Sequence, residues 1–354
     1  MTPIGFGIVG CGVIGPFHAE ALSRIPEARL VAVCDAVPER ARSLADRFGC
    51  DWVESYEALL ARADLEVVCI CTPSGLHAAM GIAAAQAGKH VVVEKPLALR
   101  TVDADRLITA CEAAGVALGG ILQYRFTDAA QRVKEAVESG RLGRIFLASA
   151  DVKWYRPPAY YETEWRGTWT LDGGVLANQG PHHLDLLLWL LGEPAEILFA
   201  RLDTVAHRIE AADAAWVVIR FHSGAVATVQ ATTAAYPGLP ARLEVCGERG
   251  AAVIVGDQLE FLETGDGSPK VRPPLADETD PAEPIDEGLL TAASDPAALP
   301  SRWHEVQLRD FVAAVREGRP PAVDGQEARR VVALLEAIHR KAGISKLSRS
   351  SHSG

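Results

Sequence analysis

The chain lacks the marks that would tie its function to a metal, a membrane or a nucleic acid. Its seven cysteines are odd in number and form no CxxC pair. Cys69-Ile70-Cys71 lies inside an apolar run, which reads as buried thiols in a reducing compartment rather than a disulfide framework. With no His-rich tract either, no metal is expected. No apolar stretch approaches membrane-spanning length. Met1-Thr2-Pro3-Ile4 runs straight into a strand, leaving no charged leader or apolar signal core, so a cytoplasmic protein is expected. A formal charge of −11 and the want of a basic stripe argue against nucleic acid as a partner. There are no internal repeats.

What is present is ordinary globular material: 354 residues, 49% hydrophobic and 23% charged, enough for two domains. The first third alternates short apolar runs (4–9, 30–34, 67–71, 90–93, 117–121) with helical patterns (15–24, 38–48, 56–61, 75–87, 102–114). That rhythm predicts βαβ units and a doubly wound parallel sheet over 1–123. After Arg125 it changes. A helix at 127–139, a strand at 145–153 and an apolar helix at 182–191 lead into strands at 195–202, 214–222, 225–233, 241–246 and 251–255. Strands in series predict a largely antiparallel sheet in a second α/β domain over 124–345. The stretch 265–301 is rich in Pro, Asp, Glu and Ala and reads as a long loop, helices at 303–316 and 327–342 close the chain, and 346–354 reads as a tail.

Gly10-Cys11-Gly12-Val13-Ile14-Gly15 follows the first strand and opens a helix. Gly10 permits the tight turn, Gly12 lets the backbone approach a pyrophosphate, and Gly15 permits close helix–sheet packing. The following helix N-terminus, with Val13 and Ile14, offers amide donors to phosphate. A tight turn without a ligand would use the same glycines. Asp35, at the end of the second strand, supplies the expected acid for the ribose hydroxyls and tilts the reading to a dinucleotide. Its charge would repel a 2′-phosphate, so NAD is preferred; Arg40 keeps NADP open.

Two further strand ends carry polar groups. Thr72-Pro73-Ser74, with His77 at the next helix, stands at the third, as cofactor contacts or as ordinary turn and capping chemistry. Glu94-Lys95-Pro96 follows the fourth, where open α/β sheets bind ligands, and proline ends the ladder there. In the second domain, Asp172-Gly173-Gly174 precedes Asn178 and Pro181-His182-His183-Leu184-Asp185. In a helix from Pro181, His182 and Asp185 share a face, and His183 is turned away by about 100°. Either the carboxylate orients an imidazole that works on substrate, or the two simply satisfy each other on a buried helix.

Taken together these motifs, with Gln123-Tyr124-Arg125-Phe126, Gly140-Arg141-Leu142-Gly143, Trp165-Arg166-Gly167 and Gly318-Arg319-Pro320-Pro321, resemble the Gfo/Idh/MocA family over nearly the whole chain. The resemblance implies a Rossmann domain, then an α/β domain whose open sheet forms a homodimer or homotetramer interface. It implies reversible hydride transfer between NAD(P) and a sugar, polyol, inositol or sugar derivative. Roles carried over make Lys95 the active-site lysine, His182 the acid/base and Asp185 its partner. Glu94, Gln123, Trp165 and Arg166 join the cofactor contacts, and Arg125, Tyr155 and Asn178 the substrate contacts. Many members have Asp where this chain has Asn178, so Asp185 alone would balance an imidazolium. Two other activities known in such relatives are NAD-dependent glycoside cleavage and non-catalytic NAD-binding regulation; retention of Lys95, His182 and Asp185 argues against the second.

Overall fold

The computed structural model describes residues 2–267, 270–271, 293 and 301–344. The expected loop at 265–301 and the expected tail at 346–354 fall largely or wholly outside the described residues. The chain divides into two compact units, neither of them a single stretch. The first comprises Met1–Gln123, Thr170–Asp172 and Pro300–Glu336. The second comprises Tyr124–Trp169, Gly173–Leu299 and Ala337–Gly354.

The first unit is built on six parallel strands: β1 (Ile4–Val9), β2 (Ala28–Cys34), β3 (Asp51–Trp52), β4 (Val67–Ile70), β5 (His90–Val93) and β6 (Leu118–Gly120). Their order, β3-β2-β1-β4-β5-β6, is that of a dinucleotide-binding Rossmann sheet. All six residues of β1 are buried, as a central strand covered on both faces requires. Helices α1 (Gly15–Ser23), α2 (Pro38–Phe48), α3 (Tyr56–Leu60), α4 (His77–Gln86) and α5 (Thr101–Ala114) make the crossovers. In α2, Pro38 opens the first turn, Ala41, Leu44 and Ala45 form the buried stripe, and Gly49 closes the helix in the left-handed region at φ 66°.

Both closing helices are expected in the second domain, at 303–316 and 327–342. The structure instead assigns Arg302–Glu317, here α9, and most of Gly325–Lys341, α10, to the first unit. Trp303, His304, Gln307, Leu308, Phe311 and Val312 form the buried stripe of α9. Leu308, Phe311 and Val312 enter the core that contains Ile4, Phe6 and Ile8 of β1. Gln307 binds the last strand through both amide atoms, donating to the Gly120 carbonyl at 2.7 Å and accepting from the Leu122 amide at 3.1 Å.

The second unit holds seven strands in the order β13-β12-β11-β7-β10-β9-β8. They are β7 (Ile145–Lys153), β8 (Pro194–Asp203), β9 (Ala214–Phe221), β10 (Val226–Thr232), β11 (Arg242–Gly247), β12 (Ala251–Val255) and β13 (Gln258–Glu263). Only β7 and β10 run parallel; the other pairs are antiparallel, as expected. Helices α6 (Asp128–Glu138), α7 (Gly174–Asn178) and α8 (Pro181–Leu191) lie in the same unit. Val217, Ile219, Ala227 and Val229 are buried, while Trp216, one position away on β9, is 39% exposed, so one face of the sheet is covered and the other open. Among the described residues no helix is long and apolar enough to cross a membrane.

Candidate active site

In the first unit, the polar residues expected at strand ends stand at the carboxyl edge of adjacent strands. Gly10 turns the chain out of β1 at φ 94°, and a Cβ there would lie 2.5 Å from the Cys71 carbonyl. Only glycine fits both demands. A Cβ on Gly15 would meet the Gly10 carbonyl at 2.4 Å, so the start of α1 is pressed against the turn. Around Gly12 the opposite holds: nothing lies within 4 Å of an added Cβ, leaving bare backbone open to approach. Asp35 is fixed at the end of β2 by two amides, Cys11 N–H on Oδ2 at 2.6 Å and Val37 N–H on Oδ1 at 2.8 Å. Arg40 is exposed on α2. Beyond β6, Gln123 is buried and its Oε1 has no hydrogen-bond partner among the described residues. An open glycine turn, an anchored acid and an orphaned acceptor on one sheet edge fit a dinucleotide.

Thr72, Pro73 and Ser74 leave β4 at the same edge. Gly75 packs against the backbone of Thr170 and Leu171, its N–H donating to the Leu171 carbonyl at 3.0 Å. His77 is 1% exposed, with Nδ1 at 2.8 Å from the Pro96 carbonyl and Nε2 at 2.9 Å from the Thr72 carbonyl. Burial lowers its pKa, with the two carbonyls acting the other way. Both ring nitrogens thus face backbone carbonyls, and the neutral ring, with one N–H to donate, sits between the Thr72 and Pro96 loops. Lys95 is half-buried beside a cis Lys95–Pro96 peptide. The Glu94 side chain, expected among the cofactor contacts, points inward. Its Oε1 meets His18 Nε2 at 2.8 Å and His304 Nε2 at 3.4 Å, and its Oε2 accepts the Lys95 amide at 3.1 Å.

In the second unit, Gly173 and Gly174 both take positive φ, 79° and 78°, to launch α7. A Cβ on Gly174 would come 2.9 Å from the Ala212 carbonyl. The turn delivers Asn178 to the end of α7 and His182 to the first turn of α8. The His182 ring stacks on Tyr124, with centroids 4.5 Å apart and planes at 18°. Tyr124 is half-buried, and the desolvation pushes its phenol up to about 12. His183 meets the same tyrosine edge-on at 5.6 Å, and burial lowers it to about 4.

Asp185 forms a buried bidentate pair with Arg125, at 2.8 Å from Nε to Oδ2 and 2.6 Å from Nη2 to Oδ1. Arg125 was expected to read substrate; the structure spends two nitrogens of its fork on Asp185 and lays it 5.7 Å from the Trp189 ring centre. Trp165 and Arg166 belong to a separate stack, with the Arg166 guanidinium 4.9 Å from the Trp165 ring and 4.2 Å from that of Tyr160. Tyr155 packs edge-on against Tyr236 at 5.1 Å.

Comparison with known proteins decides the family. Residues 4–120 match the oxidoreductase family NAD-binding Rossmann fold, and residues 130–253 match the GFO/IDH/MocA C-terminal domain. The WlbA dehydrogenase from Bordetella pertussis, solved in complex with NADH and UDP-GlcNAcA, is 34% identical, with a TM-score of 0.83 over 97% of this chain and 96% of that one. The chain belongs to the Gfo/Idh/MocA family. Inositol 2-dehydrogenase of Rhizobium meliloti (strain 1021) is 29% identical over 95% of this chain and 96% of its own. Levoglucosan dehydrogenase of Pseudarthrobacter phenanthrenivorans is 28% identical, covering 95% of each.

This Gfo/Idh/MocA protein is therefore an oxidoreductase with an NAD-binding Rossmann domain. Two of its features have no local sequence pattern. His18 lies on the buried face of α1 and His304 on that of α9, and both converge on Glu94. A buried histidine needs a partner, which is a signal of sorts, but 76 residues separate His18 from Glu94. Likewise the Arg125–Asp185 pair spans 60 residues and leaves no local spacing to find.

Proposed function

We propose that the enzyme interconverts a secondary alcohol and a ketone on a sugar, polyol, inositol or sugar derivative, with NAD as the preferred cofactor. The observation that carries this reading is the open, glycine-built turn beside the anchored Asp35 carboxylate, in a chain that also keeps Lys95 and a stacked His182. The relatives named for inositol and levoglucosan, and the WlbA dehydrogenase complex with UDP-GlcNAcA, support the substrate class. Gly10, Gly12, Val13, Ile14, Asp35 and Gln123 would hold the cofactor, with Thr72, Pro73 and Ser74 along the same edge. NAD, when bound, supplies the hydride acceptor of the oxidative reaction.

The chain's own residues supply the rest. Lys95 hydrogen-bonds the reacting oxygen and favours its alkoxide character. His182 takes the hydroxyl proton on an imidazole nitrogen, its ring plane held by the Tyr124 stack. General-base catalysis of this kind contributes roughly 10²–10⁴-fold. Asp185 supports the imidazolium less than a lone carboxylate would, because Arg125 already balances its charge. Asn178 and Tyr155 are assigned to substrate hydroxyls, and Trp165–Arg166 to the cofactor.

We also infer a cytoplasmic homo-oligomer formed through the open face of the second unit's sheet. Leu147, Phe199 and Trp216 are 44%, 48% and 39% exposed there, an apolar surface that suits a second copy.

Screening sugars, polyols, inositols and sugar nucleotides with NAD and NADP, followed at the nicotinamide absorbance band, tests the function. Net NADH accumulation is expected, and Lys95→Ala or His182→Ala should each cut kcat by about 10²–10⁴-fold with NADH binding retained. Near-normal turnover in Lys95→Ala would sink the assignment. Sugar release without net NADH would mean glycoside cleavage instead.

A further inference from the structure

Three buried ionisable side chains of the first unit take no part in that mechanism. His18, Glu94 and His304 are 0%, 4% and 1% exposed and come from α1, the end of β5 and the first turn of α9. Oε1 of Glu94 faces both imidazoles, at 2.8 Å and 3.4 Å, and the two rings meet edge to face with centroids 5.3 Å apart. Apolar residues would fill such a space at no electrostatic cost, whereas a buried carboxylate is tolerated only when paired and hydrogen-bonded. The ligand-type atoms lie within 4.8 Å of one another, close enough for a divalent cation to bridge. Yet 2.8 Å is a direct hydrogen bond, so His18 Nε2 and Glu94 Oε1 engage each other, while His18 Nδ1 and both His304 nitrogens have no hydrogen-bond partner among the described residues. What the carboxylate has left is Oε2, and that oxygen accepts the amide of Lys95.

We propose that His18, Glu94 and His304 form a positioning device for Lys95, anchoring its peptide from inside the core so that its ammonium is presented in one orientation. The inference rests on the reading of Lys95 as the group that holds the reacting oxygen. His18 and His304 act through Glu94, and Glu94 acts through the Lys95 peptide. Two helices distant in sequence thereby set the geometry of one strand end.

The test uses the full-length protein with its lysines reductively ¹³C-methylated, so that Lys95 reports without any substrate; its resonance is assigned by Lys95→Arg. A dispersed Lys95 line is expected, collapsing to the position of solvated lysine in Glu94→Gln. In the same variant kcat should fall about 10- to 100-fold, the cost of a misplaced group, with the KM for NADH unchanged. In a Lys95→Ala background, Glu94→Gln should add nothing further. His18→Asn, judged by the same readouts, serves if Glu94→Gln does not fold. An unmoved Lys95 line with kcat within twofold of wild type overturns the proposal. So does an equal further loss in the Lys95→Ala background, or a stoichiometric divalent metal that disappears in His18→Asn. If Lys95→Ala alone keeps full turnover, the catalytic reading fails, and the resonance still decides whether the cluster holds the lysine.

Discussion

Glu94 in the first unit and Asp185 in the second are both buried carboxylates, and the two solve the resulting problem differently. In the second unit Asp185, 0% exposed, is paired with Arg125, a permanent cation that grips both oxygens. In the first, Glu94 is paired with histidines that can gain or lose a proton. Burial alone would push Glu94 up, but His18 and His304 hold it well below the usual carboxylate range. Burial alone would push His18 down, but contacts with Cys71, Cys69 and Glu94 leave it well above the ordinary imidazole value. The first pair therefore stabilises fully between the unfolded pKa values of the carboxylate and the imidazole. It weakens as pH falls through the folded value of Glu94 or rises through that of His18. The second pair has no alkaline limit, because guanidinium does not titrate. The carboxylate beside Lys95 thus has the adjustable partner, and the carboxylate on the His182 helix the fixed one.

The largest expected effect breaks the fixed pair. Arg125→Met leaves Asp185 charged and buried, and should cost about 3–5 kcal/mol in urea unfolding. Adding Asp185→Leu should recover most of that loss; if it does not, packing rather than charge was responsible. Next comes His183, which burial lowers to about 4. Between the ordinary imidazole pKa and that value the unfolded chain binds a proton that the folded chain refuses, so stability falls as pH falls. The slope approaches about 1.4 kcal/mol per pH unit, and unfolding free energies of His183→Gln at several pH values should show it flattened. An unchanged slope would place the acid sensitivity elsewhere. The smallest effect on the fold is expected at Gly12, where an added methyl meets nothing within 4 Å. Gly12→Ala should change stability by no more than about 0.5 kcal/mol while weakening NADH binding, measured by fluorescence titration. Undiminished binding would mean the turn does not receive the pyrophosphate.

The parallel sheet was legible in the sequence because each strand is a short apolar run closed by a turn residue, as in Ile4–Val9 before Gly10. The two-residue strand Asp51–Trp52 was not, since two residues carry no periodicity, and Gln258–Glu263 was not among the expected strands. The glycine turn, Asp35 and the Pro181 helix start stand where spacing put them. Partners were harder. A spacing rule sees Asp185 beside His182 on one helix, but a guanidinium from a distant segment reaches its carboxylate with two nitrogens. His77 looked available for a ligand because its two carbonyl neighbours are backbone atoms, which a sequence does not display.

The threading of the first unit has a consequence for how the protein is made. Its sheet is complete once Gly120 has left the ribosome, yet the helix that covers β1 and binds the Gly120 and Leu122 backbone lies in Pro300–Glu336. At ordinary translation rates that segment emerges roughly 10–40 s later. Throughout that interval the nascent sheet exposes an apolar flank and an unsatisfied strand end, so the cofactor domain, although first in the chain, is among the last parts to finish folding.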